Sequence, residues 1–174
     1  MIRSVRPGDL PAVLALIREL AEYEGEPDAV EADEADLRAA FFGKDPQAFA
    51  HVAEQDERVV GVAVWYVTFS TWTGRHGIHL VDLVVTADAR RDGHGRALFA
   101  ELARLCVERG YRRLDWETAN VLLDGGGGPD RPGPHGFYRR QGGRPRPDWT
   151  SWRLEGEALL TAADAAGRAG ILEP

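Results

Sequence analysis

Residues 78–96 read Ile78-His79-Leu80-Val81-Asp82-Leu83-Val84-Val85-Thr86-Ala87-Asp88-Ala89-Arg90-Arg91-Asp92-Gly93-His94-Gly95-Arg96, and this stretch decides the fold. Ile78–Val85 is apolar at both alternating sets of positions, apart from His79 and Asp82. That is the pattern of a central strand covered on both faces. A turn containing Gly93 and Gly95 follows. Then Leu98, Leu102 and Leu105, flanked by Phe99 and Cys106, mark one face of a long helix, which Gly110 is placed to end.

A strand, a glycine turn and a helix in this order suit an anion. The first turn of a helix has N–H groups without partners and carries the positive end of the dipole. Glycine lets the backbone come close to phosphate oxygens. Arg90, Arg91 and Arg96 add charge-assisted donors. A P-loop is excluded, because Gly95-Arg96-Ala97 stands where Gly-Lys-Ser/Thr is needed. A dinucleotide fingerprint is excluded too, since its third glycine is Leu98. A plain strand-to-helix turn with solvated arginines is the other reading that the turn alone allows.

Outward from this stretch, Ile2–Val5 reads as a short strand. Asp9 can cap a helix with Pro11 in its first turn and an apolar face of Val13, Leu14, Ile17, Leu20 and Ala21. A second short helix is expected near Asp33–Phe42. Phe49–Ala53 and Val59–Phe69 form a hairpin across Gln55–Arg58. Arg113–Glu117 is a further strand, and Asp124–Gly136 is too rich in Gly, Pro and Asp for regular structure. His135–Gln141 reads as a short helix, Trp149–Leu154 as a last strand, and Glu155–Arg168 as a terminal helix. The class is α/β (α+β), one domain over residues 1–174, with an insertion loop at 121–136.

Composition narrows the functions. The 174 residues carry a net charge of −7, with 44% hydrophobic and 28% charged residues, as expected of a soluble globular chain. The charge speaks against general nucleic-acid binding. No apolar run has the length of a membrane span, and Met1-Ile2-Arg3-Ser4 lacks a signal-peptide pattern, so a cytoplasmic location is expected. Cys106 is the single cysteine, which excludes an intrachain disulfide and a thiolate zinc site. It is expected to be inert core. The five histidines are scattered without metal-ligand spacing, and no metal is expected. Acidic residues crowd between Glu19 and Asp36, either drawing a cationic ligand or forming a solvated face.

Arg90-x-x-Gly93-x-Gly95 after an apolar strand resembles the acetyl-CoA signature of the GNAT (GCN5-related N-acetyltransferase) superfamily. Leu16–Glu24 looks like the first helix of its diamine (spermidine/spermine) acetyltransferase group. Ser70-Thr71-Trp72-Thr73-Gly74-Arg75 is similar to the same segment of the thialysine-acetylating relative. Gly136–Gly142 and Trp152-Arg153-Leu154 resemble its C-terminal part. The resemblance implies a GNAT fold with a mixed, mostly antiparallel central sheet flanked by helices. It also implies an acetyl-CoA-dependent N-acetyltransferase acting on a primary amine of a small molecule, and a homodimer.

By the same resemblance, Leu83, Val84 and Val85 offer backbone groups to the acetyl and pantetheine portions of acetyl-CoA. Arg90, Arg91, Asp92, Gly93, His94, Gly95 and Arg96 grip its pyrophosphate, and Asn120 lies near the cosubstrate. Tyr138 takes the place of the tyrosine that protonates the departing thiolate. A phenol, with an unperturbed pKa of about 10, keeps its proton at neutral pH and suits that role. Tyr23, Glu24 and Trp72 match acceptor-contacting positions.

Asp82 interrupts an apolar strand, and burying a carboxylate alone is costly. Three readings stand for it: amine ligand, proton relay through water, or structural group. The polyamine-binding members carry a glutamate where this chain has Val81, and an acidic residue where it has Ser70. Those losses remove ion-pairing sites for a long polycation. Two further functions compete, a non-catalytic acyl-CoA-binding module and a protein lysine or N-terminal acetyltransferase.

Overall fold

The computed structural model describes residues 1–118 and 133–168, with side chains described as far as residue 164. Its elements in order are β1 (Ile2–Ser4), α1 (Leu10–Glu24), α2 (Glu34–Phe42), β2 (Phe49–Gln55), β3 (Arg58–Ser70), β4 (Arg75–Val85), α3 (His94–Glu108), β5 (Leu114–Trp116), α4 (Pro134–Arg140) and α5 (Gly156–Arg168). Internal contacts divide the chain into Met1–Gln141 and Gly142–Pro174.

The first unit holds a five-stranded sheet in the order β1-β2-β3-β4-β5. Every pairing is antiparallel except that of β4 with β5. The expected mixed, mostly antiparallel sheet flanked by helices is present. One face packs on α3 through Val60, Ala63, Trp65, Ile78, Leu80, Leu98 and Leu102. The other packs on α1 and α2 through Leu10, Val13, Leu37, Phe41, Val52, Val62 and Val84. Alternation along β3 feeds both cores, which is why a near-continuous apolar run is stable there.

Local chemistry sets the ends of the elements. Asp33 caps α2, accepting from the N–H groups of Ala35 at 2.7 Å and Asp36 at 3.0 Å, while Asp36 returns a bond to the Asp33 N–H. Asp9 departs from expectation. Its carboxylate accepts from the Arg6 N–H at 2.7 Å and from the Arg3 guanidinium, so it caps the preceding turn Pro7–Asp9, and no side-chain cap bond reaches α1. Two further expectations also need correction. Pro134–Gly136 is not irregular but forms the first turn of α4, with Pro134 at the position where its missing N–H is harmless. Trp149–Leu154 forms no strand, and among the described residues of its own unit there is no second strand to pair with.

The feature that opens the site is a bulge in β4. Val64 faces Asp82, but Trp65 faces Leu80, so Val81 is an extra residue on β4. The phase of the strand switches there. Ile78 donates its N–H to Arg113 O of β5, whereas Thr86 beyond the bulge donates to Val60 O of β3. By alternation, Leu83 and Val85 turn their backbone groups away from β3. The β4–β5 pairing itself stops at Leu80 and Trp116. Past that point, among the described residues, the edge of β4 that carries Leu83 and Val85 has no neighbouring strand.

Candidate active site

The bulge places Asp82 on the α1 side of the sheet, beside Val84 rather than in line with Leu80. Burial first, and then the charge of Glu24, pushes the Asp82 carboxyl up to about 6. Glu24 is the last residue of α1, ahead of Gly25 in the left-handed conformation at φ 85°. An acid at a helix C-terminus opposes the helix dipole, so its position reflects something other than helix stability.

Tyr138 reaches the same place from the opposite side. Its ring packs on Trp116 at 4.8 Å, Phe137 at 5.1 Å and Phe99 at 5.9 Å between centroids. Trp116 is the residue at which β4 and β5 part, so the phenol sits where the sheet opens. Burial, followed by the charges of Asp82 and Glu24, pushes the phenol up to about 12. Three expected residues from α1, β4 and α4 are thus brought within electrostatic reach of one another.

The glycine turn lies at the far end of the open edge. Gly93 is the N-cap of α3 at φ 87°, with no side chain capping the helix. The first helical bond runs from Ala97 N to Gly93 O, so the His94, Gly95 and Arg96 N–H groups are free to meet an anion. A Cβ on Gly95 would lie 3.7 Å from Val85 and 3.9 Å from Phe137, ordinary contact distances that set this turn beside the end of β4 and α4. Arg91 stands at φ 80°, a strained value for a residue with a side chain. Arg91, Asp92 and Arg96 are exposed. Among the described residues Arg91 and Arg96 make no ion pair. His94 bonds Gln55 Oε1 at 2.8 Å, tying the turn to β2.

Arg90 does something different. Its Nε donates to Val85 O at 2.8 Å and its Nη2 to Glu19 Oε1 at 3.1 Å. The guanidinium also lies 5.5 Å from the centroid of the Tyr23 ring. The sequence put Arg90 among the anion-gripping residues, and its side chain is turned to α1 instead. Trp72 is the outlying member. It lies in the turn between β3 and β4, and the length of β4 from Arg75 to Asp82 separates it from that carboxylate by roughly 20 Å. Asn120 and residues 121–132 of the expected insertion lie outside the described residues. Cys106 is buried, its Sγ facing Arg113 O at 3.4 Å, and burial pushes its thiol up. No group of three or more potential metal ligands occurs among the described residues, and no described helix is long and apolar enough to cross a membrane.

Sequence reasoning missed two groups here. Glu19 stood in an acidic block with nothing to single it out, and its partner Arg90 is 71 residues away. The edge at Leu83 and Val85, which no described strand covers, depends on a bulge that no residue type announces.

Comparison with known proteins bears on this geometry. Residues 13–123 match the model of the acetyltransferase (GNAT) family. The chain is 34% identical to a thialysine N-epsilon-acetyltransferase of Sus scrofa over 94% of its own length and 96% of the relative's. It is 35% identical to the Bos taurus protein of the same name, with the same coverage. An integron cassette protein of V. cholerae shares the fold, with a TM-score of 0.73, 23% identity, and 94% and 96% of the two chains covered. With its sheet, open edge and glycine turn arranged in this way, the chain belongs to the GNAT acetyltransferase family and is an N-acetyltransferase.

Proposed function

We propose that the chain transfers an acetyl group from acetyl-CoA directly to a primary amine of a small molecule, a diamine, a thialysine-like amino acid or a similar acceptor. The observation that carries this reading is that Asp82, Glu24 and Tyr138 lie within electrostatic reach of one another near the point where β4 and β5 part. The thialysine named for the relatives supports the acceptor class.

The described residues fit acetyl-CoA. Three free N–H groups on α3 and the unpaired Arg91 and Arg96 suit a pyrophosphate. The backbone of Leu83 and Val85 suits an extended amide-bearing arm, added to the sheet edge as a strand would be. Val84, between them, packs into the core and fixes that edge. When bound, the thioester supplies the activated acyl group.

On the acceptor side, Glu24 and Asp82 give a cationic amine its counter-charge, with Tyr23 beside them on the same helix turn. The ionised Asp82 carboxylate then takes a proton from the ammonium nitrogen, directly or through water, and frees its lone pair for attack. A backbone N–H on the open edge polarises the acyl oxygen. The Tyr138 hydroxyl, held protonated by its surroundings, gives its proton to the departing sulfur as the C–S bond breaks, and the second proton shed by the nitrogen as the amide forms restores the phenol. No covalent enzyme intermediate enters this route.

A thiol-release assay with acetyl-CoA and a panel of primary amines tests the reading, comparing wild type with Tyr138→Phe. The variant is expected to lose about 10²- to 10⁴-fold in kcat, the range of a general acid, with acetyl-CoA binding kept. Turnover of no amine would sink the acceptor assignment. Full activity in Tyr138→Phe would remove the proton donor alone.

A further inference from the structure

Glu19 lies one helical turn before Tyr23 on the same face of α1. Its Oε1 accepts from the Ala87 N–H at 3.0 Å and from Arg90 Nη2 at 3.1 Å. Arg90 in turn holds Val85 O, and its guanidinium faces Tyr23. One carboxylate therefore joins the outer half of α1 to the end of β4 and the start of the glycine turn. The core ties α1 to β4 only as far as Leu20, which with Ile17 packs on the cluster that holds Val84. The buried residues of α1 end at Leu16, Ile17 and Leu20 are half-buried, and Glu22, Tyr23 and Glu24 are exposed.

We propose that Glu19 is a positioning residue of the transferase, which through Ala87 and Arg90 fixes the last turn of α1 so that Tyr23 and Glu24 stand over the open edge of β4. The proposal rests on the acceptor reading of that site. An ion pair with 43% and 30% of its two side chains exposed contributes little to stability, so the effect of Glu19 is geometric. Glu24 is five residues further along the helix, and its charge is felt at Asp82 only while that turn is held. The charge that acts on Asp82 is that of Glu24 from α1, the phenol of Tyr138 from α4 feels the Asp82 charge but is itself neutral, and the β3 neighbour is Val64.

The test uses the ligand-free protein and the enzyme in turn. Carbon-detected NMR titration follows the Asp82 carboxyl in wild type, Glu24→Gln, Glu19→Gln and Glu19→Ala. Glu24→Gln removes the neighbouring charge and lowers the Asp82 midpoint. Glu19→Ala is expected to lower it in the same direction. Glu19→Gln, which keeps an acceptor for the Ala87 N–H but not the ion pair, falls between. In the assay, Glu19→Ala raises the amine KM at least about fivefold and leaves acetyl-CoA affinity within about twofold. A wild-type Asp82 midpoint in Glu19→Ala overturns the proposal, as does equal weakening of both substrates. If wild type turns over no amine, the acceptor reading fails, and the titration alone still decides the positioning. Arg90→Met breaks the same tie from the other side and repeats the titration if Glu19→Ala does not fold.

Discussion

Asp82 answers two opposed demands. In the proposed role of proton acceptor it has to be ionised, and its burial beside Glu24 holds the carboxyl up at about 6. The value of kcat/KM for the amine is therefore expected to rise with pH through about 6, and the midpoint of that limb to move down in Glu24→Gln. The stability effect has the opposite sign. A carboxyl raised above its unfolded value of 3.8 favours the folded state when protonated, and that contribution is lost as pH rises through about 6. Asp82→Asn should then raise the Tm near pH 8 while lowering kcat/KM by roughly 10²-fold. A variant that loses activity without gaining stability would show that the carboxylate is already satisfied in the fold. Asp82 and Tyr138 were both legible as candidates, one from a charge inside an apolar strand and the other from its neighbours in sequence. Their approach was not legible. It depends on the extra residue Val81, which looks like any other valine in a strand. The turning of Arg90 towards Glu19 was hidden for a related reason, since an ion pair spanning 71 residues leaves no local trace.

At the scale of elements, the strand–turn–helix unit of β4 and α3 was readable because its apolar periods and glycines are local properties. The start of β4 was not, because Arg75-His76-Gly77 is polar and is held by pairing with Ser70, Phe69 and Thr68 rather than by burial. Trp149–Leu154 shows the converse, a strand-like pattern with no partner strand among the described residues of its own unit. The turn itself stores strain. Arg91 sits at φ 80°, which costs a residue with a Cβ on the order of 1 kcal/mol or more, and glycine tolerates it. Arg91→Gly is therefore expected to raise the Tm modestly. If Arg91, which makes no ion pair among the described residues, meets the pyrophosphate, the same change weakens acetyl-CoA binding several-fold, and more so at low salt. Calorimetry at two salt concentrations checks both halves. A more stable protein with unchanged affinity would leave the grip to Arg96 and the α3 N–H groups.

The molecule as a whole depends on a polar joint inside its α3-side core. Trp65, among the largest fully buried side chains, stacks on Phe49 at 4.7 Å and donates its indole N–H to His51 Nδ1 at 3.1 Å. That bond requires a neutral imidazole with its proton on Nε2. Nε2 faces Ser4 Oγ at 3.4 Å and Glu101 Oε1 at 3.9 Å, so β1, β2, β3 and α3 meet at one ring. Burial holds the His51 pKa below 6.5, and Arg109 and Arg104 act in the same direction against Glu101. A histidine whose folded pKa is depressed contributes stability that is complete above its unfolded value near 6.5 and is lost as pH falls through the folded one. Protonation would also place two donors face to face across 3.1 Å, at a cost of roughly 1–3 kcal/mol. Other groups titrate in acid as well: Asp9, held low by Arg3, loses stability there, while Asp82 gains it. Those contributions are shared by wild type and His51→Gln, whose amide oxygen still accepts from the indole. The difference between the two isolates the joint. Chemical denaturation at about pH 7.5 and about pH 5 should cost wild type roughly 1–3 kcal/mol more than His51→Gln. Equal losses in the two proteins would mean that His51 takes up its proton as readily in the fold as in the unfolded chain, with the core yielding around the charged ring.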